Sequence, residues 1–88
     1  MKYSIWLEFE AYAEPTVEEP SGYCNMEVVF EDGTRRGHEV WTTDYFRENI
    51  TDLLGDAEAQ GFAVLPDLIV RRITREHITH VLKQILPQ

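Results

Sequence analysis

The chain has 88 residues, 43% of them hydrophobic, and carries 16 acids against 8 bases for a net charge of −8. That length buries a single core, so residues 1–88 form one domain, and the apolar share excludes disorder. The sign of the charge disfavours nucleic acid or an anionic membrane as a direct partner and favours a basic protein, while a lone cysteine, Cys24, excludes an internal disulfide.

From Tyr3 to Tyr12 the pattern has period two. Tyr3, Ile5, Leu7, Phe9 and Ala11 fall on one side and Ser4, Trp6, Glu8, Glu10 and Tyr12 on the other, which predicts a half-buried strand with Trp6 covered by a loop. Glu8 and Glu10 interrupt the apolar opening before it could form a signal-peptide core or a membrane span, so the expected compartment is the cytoplasm. Residues 13–22 hold Pro15, Pro20, Gly22 and three glutamates, Glu14, Glu18 and Glu19, the composition of a mobile loop. Tyr23 to Glu31 alternates again, with Cys24, Met26, Val28 and Phe30 on one face, and Asp32-Gly33 turns the chain into a third strand, Thr34 to Thr42. Two registers compete. A two-residue turn sets Cys24 opposite Trp41; a three-residue loop with Gly33 at a bulge sets Cys24 opposite Val40 and Met26 opposite His38, and it is preferred because Val40 then joins the apolar face.

Thr43 or Asp44 caps the first helix, whose buried stripe is Phe46, Ile50, Leu53, Leu54 and Ala57, and Gly55 or Gly61 ends it. If the helix continues past Gly55, then Asp44, Glu48, Asp52 and Asp56, four residues apart, form an acidic row that costs a few tenths of a kcal/mol per like pair. Phe62 to Val70 returns through Pro66 into a fourth strand, Leu68-Ile69-Val70, closed by Arg71-Arg72. Thr74 caps the last helix, Ile73 and Ile78 stand at the positions of a hydrophobic staple, and Ile78, Val81, Leu82, Ile85 and Leu86 make one apolar face before Pro87 stops it. The order β-β-β-α-β-α predicts an α+β two-layer sandwich: a four-stranded, mostly antiparallel sheet with both helices on one face. A crossover through the first helix brings the fourth strand parallel to the first or the third, and the first is the expected neighbour.

No pattern in the chain announces catalysis. His77 and His80 with Glu76 share a helix face, but a closed zinc site needs about four ligands and Cys24 is expected in the core, so no metal and no cofactor are expected. Two solvated histidines, with Glu76 pairing to His80, are the expected arrangement instead. His38 with Glu27 or Glu39 lacks a nucleophile, and Gly33 and Gly37 flank a hairpin rather than open a phosphate-binding helix, so the chain reads as a non-enzyme. Arg71, Arg72 and Arg75 form a basic cluster expected to pair with the chain's own carboxylates.

The segments Tyr3 to Glu10, Val28 to Gly33 and Ile73 to Ile78 resemble small standalone bacterial proteins. In size and acidity the chain is also similar to the immunity proteins of contact-dependent and polymorphic toxin systems. That resemblance implies a cytoplasmic protein, monomeric or weakly dimeric, that covers the active site of a cognate basic toxin domain, often a nuclease. The carboxylates expected to meet it are Glu14, Glu18, Glu19, Asp44, Glu48, Asp52 and Asp56. Two other classes stay open: a nucleic-acid mimic in which the acidic row stands for phosphates, and a homo-oligomeric structural or regulatory module joined at the exposed edge of the third strand.

Overall fold

The computed structural model describes residues 2–86 and has the order β1 (Tyr3–Leu7), a 3₁₀ turn (Glu8–Ala11), β2 (Tyr23–Phe30), β3 (Arg35–Thr42), α1 (Thr43–Gln60), β4 (Leu68–Val70) and α2 (Arg75–Ile85). The α+β class, the four strands and the two helices are those expected from the sequence. Pro87, read as the stop of the last helix, lies outside the described residues.

Strand β1 is shorter than its alternation suggests. Its ladder with β2 ends at Leu7 opposite Met26, because the next residue bonds through its side chain: the Glu8 carboxylate accepts from the Asn25 backbone N–H at 3.1 Å and from the Asn25 amide at 3.2 Å. The chain then turns through Glu8–Ala11. Leu7 and Phe9 stay in the core through that turn, whereas Ala11 is exposed, and Trp6 is 40% exposed rather than covered by a loop.

The β2–β3 hairpin takes the bulged register. Cys24 faces Val40 and Met26 faces His38, and Gly33 sits at φ +91°, a conformation that costs any residue with a Cβ. Asp32 fastens the loop by accepting from the Thr34 backbone N–H at 2.9 Å. That contact, chiefly with backbone, holds the Asp32 carboxyl below its ordinary value.

The fourth strand lies beside β3, not beside β1. Leu68, Ile69 and Val70 run parallel to Val40, Trp41 and Thr42, and the order across the sheet is β1-β2-β3-β4. Asp67 locks this edge from both sides, its N–H donating to the Glu39 carbonyl at 3.0 Å and its carboxylate accepting from the Glu39 N–H at 2.8 Å. Helix α1 begins without a gap after β3, so the crossover starts at that strand and its return closes on the nearest free edge.

One face of the sheet holds the core. Leu7, Phe9, Cys24, Met26, Val28, Val40 and Val70 are buried there under Ile73, Ile78 and Leu82 of the α2 segment. The Thr74 hydroxyl accepts from the His77 N–H at 3.0 Å as the N-cap of α2, and both staple isoleucines are fully buried. The helices do not share a face. Strand alternation puts Tyr23 and Trp41 on the side away from Cys24 and Val40, and α1 packs on that side through Tyr45, whose ring is 5.0 Å from Tyr23 and 4.9 Å from Trp41, and Phe46, 6.1 Å from Trp41. Aromatic attraction at the start of α1 therefore overrides the economy of a single covered face.

Candidate partner-binding surface

Helix α1 is 18 residues long and contains no fully buried residue. It is capped one position earlier than expected, by the Thr42 hydroxyl, which accepts from the Tyr45 N–H at 3.1 Å. It runs through Gly55 and ends at Gly61, φ +93°. Phe46, Asn49, Ile50, Leu53 and Ala57 are half-buried along the attached stripe, while Leu54, expected in that stripe, is 59% exposed. At 100° per residue, Asp44, Glu48, Asp52 and Asp56 drift across about 120° of the helix, from opposite that stripe at Asp44 and Glu48 to beside Tyr45 and Asn49 at Asp56, and all four are exposed. Because the helix does continue past Gly55, the four carboxylates form one row at about 6 Å steps. Asp44 pairs with Arg47 at 2.6 Å, both well exposed; no ion pair to Glu48, Asp52 or Asp56 is found among the described residues.

The loop carboxylates separate into three different roles. Glu14 is exposed. Glu18 is taken up by Arg72 at 2.6 Å, a contact that holds its carboxyl below the ordinary value. Glu19 is only 4% exposed; its carboxylate accepts from the Ser21 N–H and from the Tyr12 hydroxyl, the latter at 3.3 Å. Desolvation, with the Glu19 charge added, pushes the Tyr12 phenol upward. Glu19 also donates its own N–H to the Ile73 carbonyl at 3.0 Å, and Glu18 bridges to Thr74. The segment is therefore tied to the start of α2 rather than mobile, with Glu18 in an exposed pair with Arg72 and Glu19 buried. A single glutamate in a Pro- and Gly-containing loop carries no local mark of burial, so this role was not legible from the chain.

The basic cluster behaves as expected at two of its three positions. Arg72 holds Glu18, and Arg75 grips Glu10 with Nε and Nη2 at 2.7 to 3.1 Å while Nη2 also donates to the Ile5 carbonyl at 2.7 Å. Hydrogen bonding to Arg75 holds Glu10 below its ordinary value of 4.5. The histidines do not pair with the carboxylates considered above: Glu27 takes Arg35 at 3.0 Å, Glu39 takes the Trp41 indole at 2.7 Å, and His80 lies 2.8 Å from the Gln84 amide. No group of three or more metal-ligating side chains occurs among the described residues. Burial pushes the Cys24 thiol up to about 12, which withholds it from thiolate chemistry near neutrality. No helix among the described residues is long and apolar enough to cross a membrane.

One feature of this side of the molecule carried no motif. Between α1 and β4 the chain leaves Phe62, Val64 and Leu65 each at least 60% exposed. Three large apolar side chains within four positions are the sort of group that anchors a contact, and their clustering before Pro66 was the available signal.

No family model matches the chain, and no solved structure matches it. Among curated proteins, the 6-methylsalicylic acid synthases of Penicillium expansum and Penicillium patulum are each 35% identical to it over 60 residues, which is 68% of this chain and 3% of the synthase. The chain thus spans about 3% of the length of the curated relatives it matches.

Proposed function

We propose that this chain is a non-enzymatic binding protein that neutralises a basic protein, of the toxin-domain kind, by laying the outer face of α1 across its cationic cleft. The observation that carries this reading is the row Asp44, Glu48, Asp52 and Asp56: four exposed carboxylates along α1, of which Asp44 and Glu48 lie opposite the stripe that meets the sheet. Like charges in such a row cost the isolated chain a few tenths of a kcal/mol per pair and are relieved by a partner's lysines and arginines. The exposed Phe62, Val64 and Leu65 supply apolar anchors on the stretch that follows the helix. Glu14 is the one loop carboxylate left to contribute, Glu18 and Glu19 being held within the chain.

The test is the protein encoded by a neighbouring reading frame with a basic C-terminal domain, co-expressed and purified with this chain. Reversal at Glu48, Asp52 and Asp56 to lysine should weaken the pair by about 10- to 100-fold, mostly in the association rate, which should also fall steeply with salt between 0.01 and 0.1 M as the Debye length shrinks from about 30 to about 10 Å. An affinity unchanged by all three reversals would refute the assignment of α1.

A further inference from the structure

The acidic molecule has one surface of the other sign. Up to residue 61 the chain holds fourteen acids against four bases, whereas residues 62–88 hold two acids against four bases. All four of those bases, Arg71, Arg72, Arg75 and Lys83, line one open groove of about 1020 Å³ between the 13–22 segment and α2; the opposing carboxylates are Glu10 and Glu76 in the lining and Glu18 on Arg72, which leaves one positive charge in excess. We propose that this groove binds a small phosphorylated ligand, a pyrophosphate or phosphate ester. This site is separate from the α1 surface.

Two guanidinium groups are already oriented there. Arg75 spends Nε and Nη2 on Glu10 and the Ile5 carbonyl, and Arg72 spends Nη2 on Glu18. These contacts fix the plane of Arg75 and anchor one end of Arg72, while Nη1 of each is free of hydrogen bonds within the described residues. The walls are held too, since the Glu19–Ile73 backbone bond and the Glu18–Thr74 bridge tie the 13–22 segment to the first turn of α2. His77 and His80, their rings 6.4 Å apart and inclined by 26°, add ring nitrogens to the same lining. Anchored planar donors, with Arg71 and Lys83 in the same lining, suit a tetrahedral oxyanion of more than one charge better than a lone carboxylate. The volume suits a small molecule. An extended polyanion would meet acids as soon as it left the groove, which argues against nucleic acid.

Titration calorimetry of the intact chain with inorganic pyrophosphate at fixed ionic strength tests the site. Saturable 1:1 binding, weakened about threefold to tenfold by Arg71→Ala and by Lys83→Ala and unchanged by Glu48→Gln, supports it. Both substituted residues are exposed and outside the core; should either variant unfold, pyrophosphate-induced amide shifts confined to residues 71–83 of the unaltered chain give the same answer. Absence of saturable binding, or binding kept by the Arg71→Ala/Lys83→Ala double variant, overturns the site. Tighter binding of a 20-nucleotide oligothymidylate than of pyrophosphate overturns the small-ligand assignment. Because Glu48 lies on α1, failure here leaves the partner-binding reading standing, and loss of partner binding on reversal of α1 leaves the groove standing.

Discussion

Replacing Glu19 by alanine removes a buried carboxylate that joins Tyr12 to Ser21, and its effect follows from what it touches. The Ser21 N–H loses its acceptor beside a part-buried backbone, a loss worth about 1–2 kcal/mol for a bond to a charged group. The Tyr12 hydroxyl, on a side chain 40% exposed, recovers a bond from water, so its share is about 0.5 kcal/mol. The backbone bond from residue 19 to the Ile73 carbonyl survives the substitution. Relief of the buried charge offsets part of the loss, leaving a net destabilisation of about 1.5–2 kcal/mol. In a domain of this size each kcal/mol moves the midpoint by about 4–8 °C, so thermal unfolding followed by circular dichroism should shift down by about 6–16 °C. Glu19→Gln keeps an acceptor for Ser21 and should lose about half as much. Glu14→Ala, at an exposed position in the same loop, should stay within about 0.5 kcal/mol of the parent. Protease sensitivity of residues 13–22 should rise in Glu19→Ala alone. If Glu19→Ala and Glu14→Ala melted together, the reasoning that Glu19 pins the loop would be refuted.

Four further outcomes are expected. Ile78→Ala empties a fully buried staple position and should cost about 3–4 kcal/mol in urea unfolding, against less than about 1 kcal/mol for the half-exposed Ile85→Ala; equal costs would contradict the placement of the apolar face. Gly55 lies inside α1 with open space at its Cβ position, so Gly55→Ala should stabilise by about 0.5–1 kcal/mol, whereas Gly33→Ala, equally uncrowded but at φ +91°, should destabilise by about 1 kcal/mol; the same sign for both would be inconsistent with these backbones. Cys24 should resist a thiol reagent at pH 8 until the chain is unfolded; its thiol ionises near 9.0 when unfolded and at about 12 when folded, so its contribution to stability is complete below pH 9 and lost as pH rises toward 12, a decline that Cys24→Ala should flatten. On the acid side Glu10 is held below its ordinary 4.5 by Arg75, so its contribution is present above pH 4.5 and lost as pH falls through its lowered folded value; stability measured against pH in Arg75→Ala should fall less steeply there, and an unchanged slope would count against the ion pair.

What the chain determined by itself is local. Asp32-Gly33 could set the hairpin register because only glycine reaches φ +91° without strain, and once that turn forms, every pair from Val29 with Arg35 to Tyr23 with Trp41 follows from period two. Thr74, Ile73 and Ile78 marked the start of α2 because a cap and a staple act within six consecutive positions. The exposed row on α1 was legible for the same reason, since spacing of four on a helix needs only that the helix exist. The tertiary structure decided what depends on partners far along the chain. Strand β1 ends at Leu7 because Glu8 finds Asn25, α1 crosses to the other face because Tyr45 and Phe46 find Trp41, and β4 closes on β3 through Asp67 and Glu39. Glu19, indistinguishable in sequence from its neighbour Glu18, is buried because Tyr12 and Ser21 converge on it, and a loop composed for mobility is thereby fastened to the core. Periodicity can state which side of an element is apolar; which surface in the chain covers it depends on contacts made at long sequence separation, where many pairings are compatible with the same local pattern.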